Sequence, residues 1–230
     1  SSHESRVMGF AVKEDGNWRS FRHRNYRILF PANAVSNIGS WAQRIAQDWL
    51  VLELTNNNGT YLGLVTAVQF APVLLFSLHG GKLADRFNKR KVLVLTNILG
   101  GSASLGLGAL VITEHIELWH VFVLAAVLGI STAIDAPVRQ SFTTEVVGQT
   151  DLPNAVSLNS ANFNAGRLIG PAVSGGLIAA FGTGPSFIVN GLSYFFVIGA
   201  LLNLNEKAFF HQDRTKSDGN IREGLAYAKA

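Results

Sequence analysis

Long stretches without formal charge constrain this chain more than any other feature of its sequence. Residues 61–81, 92–113 and 168–205 contain no Asp, Glu, Lys or Arg. A buried helix of a soluble protein rarely needs more than about a dozen apolar residues, whereas a helix that crosses a bilayer needs about 20, at a rise of ~1.5 Å each. Several such stretches in one chain predict an integral, all-α membrane protein.

Six transmembrane helices account for this pattern. Their predicted ranges are 28–54, 61–80, 92–113, 118–138, 156–181 and 186–204. The first is the least hydrophobic because Arg44 and Asp48 lie inside it, and the last two are separated by the turn sequence GTGPS. The predicted organisation is therefore a cytoplasmic segment 1–27, a six-helix bundle 28–204 and a cytoplasmic segment 205–230.

The basic residues outside these helices indicate the orientation. Four segments hold six, five, one and five Lys or Arg residues, respectively: 1–27, 81–91, 139–155 and 205–230. The three alternate loops hold none: 55–60, 114–117 and 182–185. Because cytoplasmic segments carry the excess of Lys and Arg, both termini are predicted to be cytoplasmic.

Composition and motifs exclude several classes of function. The chain has no cysteine, so it offers neither a disulfide framework nor a thiolate metal site. Its sequence shows no hydrolytic triad, metal-ligand cluster or phosphate-binding glycine loop, and its net charge of +4 is explained by the cytoplasmic segments. We therefore expect no enzyme activity, no cofactor, no metal and no nucleic-acid partner, and an ion gradient or an associated subunit as the energy source.

The loop between the second and third predicted helices has an ordered sequence, GKLADRFNKRK, at residues 81–91. Gly81 would let a helix end approach a neighbour, and Asp85 could face the positive end of another helix dipole. The basic residues, among them Arg86 and Arg90, would anchor the cytoplasmic face. By charge count alone the loop could be only an orientation signal.

The order of these residues resembles the loop 2–3 signature of the major facilitator superfamily, which reads G, x, L, A, D, R, x, G and then basic residues. Asn88 replaces the second glycine and is the next most tolerant residue for a left-handed turn. In that family the aspartate contacts the second half of the transporter and steadies one conformation. The resemblance thus implies a conformational role for Gly81, Asp85, Arg86 and Arg90.

The fifth predicted helix contains a second element of this kind, GRLIGPAVSGG. Gly166, Gly170 and Pro171 resemble the G-x-x-x-G-P-x-x-G-G element of drug–proton antiporters, with Ser174 in place of one closing glycine. Small residues four positions apart permit close helix contact, and proline bends a helix. We predict a conformational role for Gly166, Gly170 and Pro171. The alternative for the two glycines is that they serve only generic helix packing.

Longer patterns, including SNIGSWAQRIAQDWLVLELT and DAPVRQSFTTEVV, are similar to the branch that includes bacterial enterobactin exporters and macrolide-efflux proteins. Ala125 stands where many antiporters have an arginine in the fourth helix. The family has twelve spans in two halves, so the resemblance implies an N-terminal half in the bacterial inner membrane. The second six-helix half would belong to the same full-length chain or to a dimer partner.

Polar residues follow helical spacing on two of the predicted helices. Ionisable groups inside a bilayer are costly, which makes them candidates for function. One stripe lies on the first helix: Asn33, Asn37, Ser40, Arg44 and Asp48. The other lies on the fifth: Ser160, Asn164, Arg167, Pro171 and Ser174. The two stripes predict a shared aqueous cavity.

Asp48 is the predicted proton-coupling carboxylate, with Arg44 as its partner. Burial and a nearby arginine act on the protonation of a carboxylate in opposite directions, so its titration can be tuned. A static pair between these residues, four positions apart, is the alternative. Asp135 precedes Pro137 at the predicted end of the fourth helix, where it would shape the helix end or contribute to gating.

Four polar residues are the predicted substrate contacts: Asn37, Ser40, Asn164 and Arg167. Arg167 could attract an anionic substrate or could instead be the partner of Asp48. Together these features favour proton-coupled export of a small amphiphilic molecule, a siderophore or a drug, by alternating access. A facilitative or importing permease of the same fold, or a membrane scaffold or half-transporter fragment without transport, is the alternative.

Overall fold

The computed structural model describes residues 16, 18–76 and 87–210. Within these residues the regular structure is entirely helical, which agrees with the predicted all-α membrane fold. Residues 81–86 of the predicted loop signature, among them Gly81, Asp85 and Arg86, lie outside the described part of the chain. Most of both terminal segments lies outside it as well, so the division at 1–27, 28–204 and 205–230 stays a prediction.

Five α-helices form the described bundle: α1 Arg24–Leu54, α2 Gly59–Phe76, α3 Lys89–Ile112, α4 Leu118–Phe181 and α5 Gly184–Leu202. Short 3-10 turns precede and follow them at Arg19–Arg22 and Glu206–Ala208. Local signals set several of these ends. The side chain of Asn88 caps α3 by accepting a hydrogen bond from the Lys91 backbone N–H, and Pro185 lies in the first turn of α5.

The predicted loop at 139–155 is helical, and this part of the prediction is wrong. Helix α4 continues through it and is interrupted only at Gly148, whose φ of 74° and ψ of 168° are non-helical. That residue separates two arms, 118–147 and 149–181. A rise in polarity ends the apolar stretch but does not end a helix, because hydrogen bonding continues until a residue leaves the helical conformation.

Four helices are long and apolar enough to cross a membrane: α2, α3, α4 and α5. Helix α1 does not meet that criterion among the described residues, since Arg44, Asp48 and several amide side chains lie along it. The structure therefore supports a multi-pass helical membrane protein, whereas the predicted count of six spans is not confirmed.

Helix α1 packs against α4 and α5, while α3 packs against α5 and α4, and α2 against α4. Glycines bring α3 and α5 together, since a Cβ on Gly191 would lie 2.6 Å from the Leu105 side chain. Two apolar clusters fill the bundle, one around Phe142 and Leu201 and the other around Val51. Along α1 and α5, polar residues occupy the turns between the two clusters.

A polar cavity as the candidate functional site

A cavity of about 560 Å³ lies among the five helices, and each of them contributes lining residues. Nine of the lining side chains are Asn or Gln. Buried amides are costly unless they are hydrogen-bonded, and these helices supply partners for one another. Asn190 of α5 donates to Gln43 of α1 at 2.7 Å, and Gln47 of α1 donates to Gln69 of α2 at 3.1 Å. The amides thus join α1 to its neighbours and add polar, uncharged groups to the cavity wall.

An ion pair lies on the α4 side of this cavity. The Nε and Nη2 atoms of Arg139 donate to the two carboxylate oxygens of Asp135 at 2.7 and 2.9 Å. Asn33 accepts from Arg139 Nη1 at 2.7 Å, and the Thr96 hydroxyl donates to Asp135 at 2.7 Å. This fork-like geometry neutralises both charges and satisfies most of their hydrogen-bonding capacity.

From the sequence, Arg139 is only an orientation charge in a cytoplasmic loop, and the structure corrects this. Because α4 does not end near residue 138, Arg139 lies one turn after Asp135 on the same helix face. The four-residue spacing of opposite charges is the signal that could have found the pair. Asp135 is predicted at a helix end, but it lies well inside α4; its predicted role in gating stays a prediction.

Arg44 also lines the cavity, but it contacts aromatic rings and not a carboxylate. Its Cζ atom lies 5.4 Å from the ring centroid of Trp41 and 5.0 Å from that of Phe70 on α2. The ion pairs within 4 Å among the described residues include neither Arg44 nor Asp48. Asp48 is half-buried and is not one of the side chains that line the cavity. The static Arg44–Asp48 pair is therefore not formed.

Two of the four predicted substrate contacts line the cavity. Asn37 donates to the Asn162 carbonyl of α4 at 2.7 Å, and the Ser40 hydroxyl donates to Asn190 at 3.4 Å. Both groups project from the middle of α1, between the two apolar clusters. They lie on the same cavity wall as Arg44.

The other two predicted contacts, Asn164 and Arg167, are exposed. Asn164 donates to the Ser160 carbonyl of its own helix at 2.9 Å and lines a neighbouring pocket of about 470 Å³. Arg167 lines neither space. Gly166 lies on the face of this arm that contacts α1. At 3.6 residues per turn, Asn164 and Arg167 point roughly 160° and 100° away from that face.

The glycines of the predicted G-x-x-x-G-P element lie where the second arm of α4 crosses α1. A Cβ on Gly170 would lie 3.0 Å from the backbone nitrogen of Ala42 and from the carbonyl oxygen of Ile38. One on Gly166 would overlap the Asn37 amide. Both positions therefore require a small residue for close packing, and Pro171 follows within the same helix. Their conformational role stays a prediction.

Arg90, which belongs to the loop signature and lies in the described part of the chain, contacts the end of α5. Its guanidinium pairs with Glu206 and donates to the Leu202 carbonyl at 2.7 Å. The adjacent Lys89 pairs with Glu145 at 2.7 Å. The start of α3 is thus tied to the segment after α5 and to the first arm of α4.

Several known proteins are similar in sequence to this chain along most of its length. The chain is 28% identical to the staphyloferrin A transporter of Staphylococcus aureus over 79% of its residues. It is 27% identical to the uncharacterised MFS-type transporter YfiS of Bacillus subtilis over 87%, and 22% identical to the enterobactin exporter EntS of Shigella flexneri over 80%. The chain spans about half the length of these relatives, 46%, 48% and 45% respectively.

The family resemblance predicted from the loop and helix elements is confirmed by these similarities. The family profile of the transmembrane secretion effectors matches residues 15–230, which is nearly the whole chain. Its relatives are transporters and not enzymes. The chain belongs to the transmembrane secretion effector family, a branch of the major facilitator superfamily of membrane transporters.

Proposed function

We propose that this chain is the N-terminal half of a secondary active transporter that exports a small amphiphilic molecule in exchange for protons. The observation that carries the proposal is the amide-lined cavity among the five helices, between two apolar clusters. Alternating access requires a substrate site at such a depth, open in turn to each side of the membrane. The names of two relatives, a staphyloferrin A transporter and an enterobactin exporter, support a siderophore-like substrate and the outward direction.

Six spans follow if the two arms of α4, 118–147 and 149–181, each cross the bilayer. Each arm has enough residues for the roughly 20 that a crossing needs, and Gly148 provides the break between them. The distribution of Lys and Arg then favours cytoplasmic termini, and the bacterial relatives support an inner membrane.

The second half of the transporter would come from the same full-length chain or from a dimer partner. Only 6% of the most apolar window of α2 is buried, against 50% for α5. The second half would cover α2 and the exposed face of the second α4 arm, closing the cavity on its open side.

Proton coupling is assigned to Asp48, with Arg44 one turn earlier on α1. Asp48 is half-buried and has no ion-pair partner within 4 Å among the described residues. A carboxylate in that setting can exchange a proton without first breaking a salt bridge, in contrast to the doubly hydrogen-bonded Asp135.

The test uses the intact protein in inverted membrane vesicles with an imposed proton gradient. Siderophores, macrolides and cationic dyes are added one at a time, and substrate-triggered proton release is recorded. We expect release with the native protein and its loss in Asp48→Asn. The matched control is Glu53→Gln, which removes an exposed carboxylate of the same helix and should leave release intact.

Unchanged release in Asp48→Asn would place the coupling group elsewhere. No release with any compound, from protein shown to be folded, would contradict the exporter assignment. Equilibration of substrate without any gradient would instead indicate a facilitative permease.

A further inference from the structure

We propose that Arg44 binds a carboxylate of the transported molecule, so that the cavity selects anions with a planar conjugated group over cations of the same size. The proposal rests on the function proposed above and names the chemical class of its substrate. It moves the predicted anion contact from Arg167 on α4 to Arg44 on α1.

The balance of charge on the cavity wall is the first support. Among the described residues that line the cavity, three carry formal charge: Arg44, Asp135 and Arg139. Two hydrogen bonds of 2.7 and 2.9 Å pair Asp135 with Arg139, so these two charges cancel. The wall is left with the positive charge of Arg44, which attracts anions and repels cations.

The free donors of Arg44 are the second support. The described residues place no carboxylate within 4 Å of its guanidinium, and no side-chain hydrogen bond from it is formed among them. A guanidinium presents N–H groups in a rigid fork that matches a carboxylate. A bound carboxylate would therefore satisfy donors that this half of the cavity leaves unused.

The aromatic rings around Arg44 are the third support. Trp41 and Phe70 lie over the guanidinium, with Cζ to ring-centroid distances of 5.4 and 5.0 Å, and shield part of it from water. Trp41 also packs edge-on against Phe163, with ring centroids 5.5 Å apart. A planar conjugated group attached to the carboxylate would find these ring faces next to the charge.

Asp48 is the group that would compete with a bound anion. It lies one turn after Arg44 on α1, beyond ion-pair distance, and it does not line the cavity. The amides that line the cavity would complete the site by exchanging hydrogen bonds with hydroxyl or amide groups of the substrate.

Three matched probes test the proposal on the intact protein in nanodiscs, at equilibrium and without a gradient: 2-naphthoate, its neutral analogue 2-naphthamide and the cation 2-naphthylmethylammonium. Saturation-transfer NMR titrations give the three dissociation constants. We expect 2-naphthoate to bind about 10-fold more tightly than either other probe, because a charge-assisted bidentate contact is made only with it. The preference should vanish in Arg44→Gln and persist in part in Arg44→Lys.

Arg27→Gln is the matched control, because it removes an exposed positive charge from the same helix and should leave all three constants unchanged. Equal binding of the three probes to the native protein, or no binding of any, would overturn the proposal without use of a variant. A preference that survives in Arg44→Gln but is lost in Arg167→Gln would overturn it in favour of Arg167.

The binding and vesicle experiments fail independently. Selective binding of 2-naphthoate without proton release by any compound would support the Arg44 site and contradict the exporter. Proton-coupled export without preference for the anion would do the reverse.

Discussion

Asp135 and Arg139 carry opposite charges on the cavity wall, where they form an ion pair with two hydrogen bonds. Their side chains are 19% and 29% exposed, so water screens them only in part. Removing one partner leaves the other charge partly buried and without its ion pair. We expect Asp135→Asn to lower the free energy of unfolding by about 1–3 kcal/mol.

The double variant Asp135→Asn/Arg139→Gln should recover part of that loss, because no unpaired charge remains. Thermal unfolding of the intact protein in detergent measures both variants, with Glu114→Gln, at an exposed carboxylate between α3 and α4, as control. If the double variant lost the sum of the two single losses, the pair would contribute nothing through its own interaction.

The charged residues of α1 and α4 differ in how well the sequence predicts their contacts. The spacing of Arg44 and Asp48 correctly places both on one face of α1, but whether their side chains meet depends on rotamers and on Phe70 of α2, which no local pattern specifies. Counting charges assigns Arg139 to a loop because it equates the end of the apolar stretch with the end of a helix. The helical spacing of polar residues identifies Asn33 and Asn37 but not Gln43, which also lines the cavity.

At the scale of helices, the contact between α1 and the second arm of α4 depends on the absence of side-chain atoms. A Cβ on Gly170 would press on the α1 backbone at 3.0 Å, and backbone cannot move aside as a flexible side chain does. We expect Gly170→Ala to cost about 1–3 kcal/mol through overpacking. Gly175 lies on the same arm, and a Cβ added there would have nothing within 4 Å.

Gly175→Ala is accordingly the matched control and should be neutral, or slightly stabilising through helix propensity. The thermal unfolding midpoints of the two variants compare them directly in the intact protein. An equal loss in both would mean that the arm requires glycine for a reason other than its contact with α1.

The sequence predicts these helices better than their connections. Apolar stretches and Gly/Pro turns locate α2, α3 and α5 to within a few residues. The continuity of α4 past residue 138 escapes prediction because proline and charge are typical of helix ends. Pro137 and Pro153 are instead accommodated within helical segments, and the break falls at Gly148, where φ is positive. Phe210, which follows α5, lies against this break, since a Cβ on Gly148 would be 3.2 Å from its ring.

At the scale of the whole molecule, three distant segments meet around one buried carboxylate. Asp151, which is 1% exposed, accepts hydrogen bonds from Arg22 at 2.8 Å and from His23 at 2.7 Å. The His23 ring packs edge-on against Phe210, which follows α5. The segment before α1, the second arm of α4 and the segment after α5 are thereby held together.

We expect Asp151→Asn to loosen this junction before the rest of the bundle, because an amide cannot balance the charge of Arg22 and is a weaker acceptor than the carboxylate oxygen Oδ2, which both Arg22 and His23 contact. Hydrogen exchange should speed up at the amides of 19–26 and 205–210, while those in the middle of α3 keep their protection. Glu145→Gln is the control, since it breaks the Lys89 pair at a side chain that is 32% exposed and should have the smaller effect. Uniform acceleration throughout the bundle would instead mean that Asp151 supports global folding. Unchanged exchange at 19–26 would mean that other contacts, such as that of Ser20 with Asn154, hold this segment in place without Asp151.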